Sequence, residues 1–89
     1  MAELDKEYIL SLTEQAEAGS PEEQYRAGLL FAFGEGVPVD LVLAHKWLNL
    51  AAMNGVAEAR ESRAEISMDM SPQEIAAAQK MAREWCLAH

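Results

Sequence analysis

Five stretches of this chain carry apolar residues three and four positions apart, the interval that collects side chains on one face of a helix. In the first, over 3–18, the residues are Leu4, Tyr8, Ile9, Leu12 and Ala16, and the pattern stops at Gly19. The second, over 22–33, has two apolar lines: Gln24, Ala27, Gly28 and Phe31, and beside them Tyr25, Leu29 and Ala32 or Phe33. A helix apolar on two sides needs neighbours on two sides. The third stretch, 41–53, sets Ala44, Leu48, Ala51 and Ala52 around the large indole of Trp47. The fourth, 56–67, is weaker, with Ala59 and Ala64 in register but Arg63 and Ser67 where large apolar residues are expected. The fifth, 72–88, brings Ile75, Ala78, Ala82, Trp85 and Cys86 to one side.

The punctuation between these stretches is equally specific. Gly34-Glu35-Gly36-Val37-Pro38-Val39-Asp40 separates the second and third. Its glycines accept positive φ, its proline stops the preceding helix, and Asp40 is placed to cap the next one. Ser20-Pro21-Glu22-Glu23 and Ser71-Pro72-Gln73-Glu74 have the form of capping boxes, with proline at the first helical position. A serine before proline also suits phosphorylation, but capping accounts for both. Gly28 is unfavourable inside a helix by about 1 kcal/mol relative to alanine, which predicts a close backbone approach there. Asn54-Gly55 predicts a C-cap after the third helix.

The run Ala18-Gly19-Ser20-Pro21-Glu22-Glu23-Gln24-Tyr25-Arg26-Ala27-Gly28, the turn Gly34-Glu35-Gly36-Val37, and Asp40, Ala44, Trp47, Ala51, Ala52 and Gly55 together resemble a Sel-one-like repeat, a relative of the tetratricopeptide repeat. Glu23 and Ala27 depart from the family, which usually has alanine and leucine there. A shift of 36 residues superposes Leu12 on Leu48, Ala16 on Ala52 and Gly19 on Gly55. The resemblance implies an all-α fold: a short right-handed α-α solenoid of about five helices in stacked hairpins, each unit touching only its neighbours. Within one domain over 1–89, residues 3–18 are then a capping helix, 20–55 a complete repeat, and 56–89 a degenerate repeat with a closing helix. It also implies use as an adaptor for protein–protein contacts, without catalysis.

Composition narrows the class of partner. The chain has 89 residues, 51% of them hydrophobic, and a formal net charge of −8. The charge is uneven: residues 1–24 hold seven acids against Lys6, residues 25–55 balance, and residues 56–89 hold six acids against four bases. With no basic stripe, nucleic acid and anionic membrane are poor partners. The longest apolar run, Leu29 to Phe33, is far short of a bilayer span. The N-terminus lacks the basic start and apolar stretch of a signal peptide, so a cytoplasmic location is expected, with a periplasmic or secreted one open if a leader was removed.

Candidates for chemistry are few. Cys86 and His89 are three apart on a helix, but a buried cysteine acting as a small hydrophobe and a frayed terminal histidine explain them as well. His45 is expected to be exposed, on the side of its helix away from Ala44 and Ala51. No zinc-ligand spacing or phosphate-binding glycine loop is present, and no catalytic residue, metal or cofactor is expected. Trp47 and Trp85 suit a core better than a stacking platform.

The expected binding surface is the concave side of the solenoid. It comprises Glu22, Tyr25, Leu29, Ala32 and Phe33 from one first helix, and Glu58, Glu61 and Glu65 from the next. An apolar patch beside an acidic ladder suits a peptide or helix carrying apolar residues and Lys or Arg. The alternative for Tyr25, Leu29 and Phe33 is packing against the N-terminal helix. Self-association through an open end of the stack is the competing function.

Overall fold

The third apolar stretch is the centre of the structure. In the computed structural model, which describes residues 6–89, the helices are α1 (Lys6–Glu17), α2 (Pro21–Phe33), α3 (Leu41–Met53), α4 (Ala57–Ser67) and α5 (Pro72–Ala88). Leu4 and the other residues before Lys6 lie outside the described part. Ala44, His45, Trp47, Leu48, Leu50 and Ala51 are buried around most of the circumference of α3. A helix that is apolar nearly all round is stable only when surrounded. It is packed by α2, α4 and α5.

Two apolar clusters lie on adjoining sides of α3. One joins Ala16, Ala27, Trp47, Leu50 and Ala82, with Phe31 and Trp85 against it, and so ties together α1, α2, α3 and α5. The other joins Leu48, Ala51, Val56 and Ala59, with Tyr25, Leu29, Ala52 and Ile66 packed on it from α2, α3 and α4. The mostly small buried side chains let the helices approach closely, and the two tryptophans fill what remains. Their rings meet edge to face, centroids 6.5 Å apart at 71°.

The local hairpin expected for α2 and α3 forms. Gly34 ends α2 with a left-handed φ of 69°, its N–H donating to the carbonyl of Leu30, and Asp40 Oδ1 accepts from the Leu43 N–H at 3.0 Å. The Asp40 N–H also donates to the Phe31 carbonyl at 3.0 Å, which closes the loop onto the helix it leaves. The Ser71 capping box is complete in both directions. At Ser20 the hydroxyl instead donates to the Glu23 carboxylate and makes no bond to a helix amide.

The solenoid does not form. A stack in which each unit meets only its neighbours would leave the ends apart, whereas here α5 packs on α3 and shares a cluster with α1. The Trp85 Nε1–H of α5 donates to Glu17 of α1 at 3.0 Å, across 68 residues of chain. The radius of gyration is 12.1 Å, within extents of 34 × 28 × 21 Å, and a compact chain of this length is expected near about 12 Å. The fold is a five-helix bundle closed around α3. The physical reason lies in α3 itself, which is apolar on too many sides to be covered by sequence neighbours alone.

Candidate protein-binding surfaces

A binding surface on this molecule has to be sought on the outside of a bundle, since no concave inner wall of a solenoid exists. The residues expected there divide into two sets on helices that touch, α2 and α4. Tyr25 and Leu29 are half-buried, leaning on the α3–α4 cluster of Leu48, Ala51, Val56 and Ala59, and Ala32 is also half-buried. Leu29 additionally lines a small cleft of about 140 Å³ with Tyr8 and Leu12 of α1. Phe33, the last residue of α2, belongs to neither cluster and is 68% exposed. Glu22 is exposed at the start of the same helix.

On α4, Ala59 and Ile66 turn inward, and this rotation leaves Glu58, Glu61 and Glu65 together on one exposed side. Among the described residues the ion pairs are Arg26–Glu23 and Lys80–Glu84, so none of the three α4 carboxylates is neutralised. Arg63, the nearest cation by sequence on the inner side, directs its guanidinium to Asn49 Oδ1 on α3.

Two residues lie where the sequence did not put them. Cys86 is exposed and not part of the core. His45 is buried, 3% exposed, and its Nδ1 has no hydrogen-bond partner. Burial lowers its pKa below the ordinary 6.5, and the Arg63 guanidinium lowers it further, with a smaller opposing pull from its own backbone. The missed signal was the breadth of the apolar surface of α3: with Ala44 and Leu48 beside it, position 45 falls under α4 as well. His89 does not approach Cys86 as a catalytic partner would. Its ring stacks on Trp85 at 4.1 Å and its Nδ1 lies 2.9 Å from the Trp85 carbonyl.

A further concavity lies outside the expected surface. It is an open groove of about 460 Å³ between α3 and α5, with Met53, Ala82 and Leu87 as apolar surface, Asn49, Gln79 and Arg83 as polar surface, and Cys86 beside them. Met53 and Leu87 are 61% and 88% exposed. Among the described residues no three His, Cys, Asp or Glu side chains are grouped to hold a metal ion, and no helix is long and apolar enough to cross a membrane.

The Sel-one-like, tetratricopeptide-type expectation is overturned by this closed packing of α5 on α3 and with α1. No protein-family model and no curated protein matches the chain.

Proposed function

We propose that this chain is a non-catalytic protein-binding module whose α2–α4 surface takes a peptide or helix carrying apolar and basic side chains. The observation that supports it most is the line from Tyr25 through Leu29 to Phe33, in which Tyr25 and Leu29 are half-buried and Phe33, at the end of α2, is exposed. An aromatic side chain left outside both clusters is a natural anchor for a partner. The unpaired Glu58, Glu61 and Glu65 on the adjoining helix supply the charge that selects Lys or Arg in the partner and speeds its encounter. Neither nucleic acid nor an anionic membrane suits a chain of net charge −8. A cytoplasmic setting agrees with a single cysteine, which forms no internal disulfide.

The test is selection of displayed random peptides on the purified protein. The proposal expects a consensus of apolar residues with Lys or Arg, and loss of the selected peptides by Phe33→Glu and Glu61→Lys variants that keep their helical spectrum. Selection of acidic peptides alone, or peptides bound equally by both variants, contradicts it.

A further inference from the structure

We infer that the α3–α5 groove is a second docking site, and that it takes an amphipathic helix of a partner protein bearing apolar residues and a carboxylate for Arg83. The inference is independent of the α2–α4 reading, because it concerns another face and the opposite sign of charge.

The lining of the groove contains no carboxylate. Arg83 makes no ion pair or hydrogen bond among the described residues, and Glu84 beside it is occupied with Lys80 at 4.0 Å. A second cation, Arg63 of α4, donates to the side chain of the lining residue Asn49. The charged side chain in the lining is thus a cation, on a molecule of net charge −8.

Shape and apolar content point to a helix. The lining of α5 runs from Gln79 to Leu87, a rise of about 12 Å, or some two turns. Met53 of α3 and Leu87 of α5, both exposed, with Ala82 also in the lining, give the apolar surface into which i, i+3, i+4 anchors fit. Two copies joined groove to groove would set Arg83 against Arg83, which disfavours self-pairing there.

The experiment titrates the full chain with a helical peptide of about 18 residues, five turns, that is leucine on one face and glutamate on the other. A matched leucine–lysine peptide is run in parallel, with binding followed by calorimetry and backbone amide shifts. The inference expects saturable binding of the glutamate peptide, with shifts at Asn49, Met53, Arg83 and Leu87. Arg83→Glu and, separately, Met53→Asp, both at exposed positions, should each weaken it about tenfold or more. No saturable binding, a lysine peptide preferred in this groove, or groove shifts that depend on protein concentration alone, as a second copy would give, overturns it.

Discussion

A β-carbon placed on Gly28 of α2 would lie 2.7 Å from both Cγ and Cδ2 of Leu48 in α3. Leu48 is fully buried and cannot swing away, and the Ala44 carbonyl oxygen stands 3.3 Å from the same point. The absent side chain is therefore what lets the two helices of the hairpin touch.

Gly28→Ala should accordingly destabilise the protein, although alanine is the better helix former. Overpacking of about 1–3 kcal/mol outweighs the roughly 1 kcal/mol gained in propensity. Thermal unfolding should fall by several degrees, at about 4–8 °C per kcal/mol for a domain of this size. Adding Leu48→Ala should be less than additive, since the second change makes room for the first.

Gln24 is the second unusual core residue, fully buried on α2. Its Nε2 donates to the Ala16 carbonyl at 3.2 Å, and its Oε1 accepts from Asn54 Nδ2 at 3.4 Å, joining the end of α1 to the C-cap of α3. Gln24→Leu should cost only about 1 kcal/mol, because the Ala16 carbonyl keeps the Gly19 N–H and the Asn54 amide keeps the Leu50 carbonyl. Gln24→Glu should cost more at neutral pH than at pH 4, since it buries a charge. Denaturant titration at the two pH values measures both.

His45 makes stability depend on pH. Its folded-state pKa is depressed, so between the unfolded value of 6.5 and the lower folded value the unfolded chain binds the extra proton. The stabilisation is complete above pH 6.5, is lost as pH falls through that window, and levels off below the folded pKa. Subtracting the curve of His45→Leu from that of the parent across pH 7.5 to 4.5 should give a difference that declines toward acid. A flat difference would mean that the imidazole titrates alike in both states.

Trp85 fastens the C-terminal helix. It meets Trp47 on α3 edge to face and donates to Glu17 on α1. Trp85→Phe should retain the ring contact and lose about 0.5–1 kcal/mol, whereas Trp85→Ala should cost about 2–4 kcal/mol. Hydrogen exchange should show the amides of α5 losing protection first in the alanine variant.

The local structure was legible in the sequence and the global packing was not. Ser71, Asp40 and Gly34 act through their own backbone neighbourhood, and each does what its position implied. The contact of α5 with α3, the Trp85–Glu17 bond and the burial of His45 depend on which of several apolar sides of α3 meets which helix, and a period of three and four leaves that open. The same gap explains the site. Tyr25, Leu29 and Phe33 were identifiable as a line, but that Tyr25 and Leu29 pack on α3 and α4 while Phe33 stays outside both clusters follows from how the helices assemble. The groove beside Arg83 exists only because α5 folds back onto α3.

The central claim is that the α2–α4 surface holds a partner's apolar and basic segment. The most direct measurement is the amide-shift footprint of a selected peptide on the isotopically labelled protein. The account predicts a footprint covering Tyr25, Leu29 and Phe33 on α2 together with Glu58, Glu61 and Glu65 on α4. A footprint that leaves both helices unperturbed while the peptide is bound would contradict it.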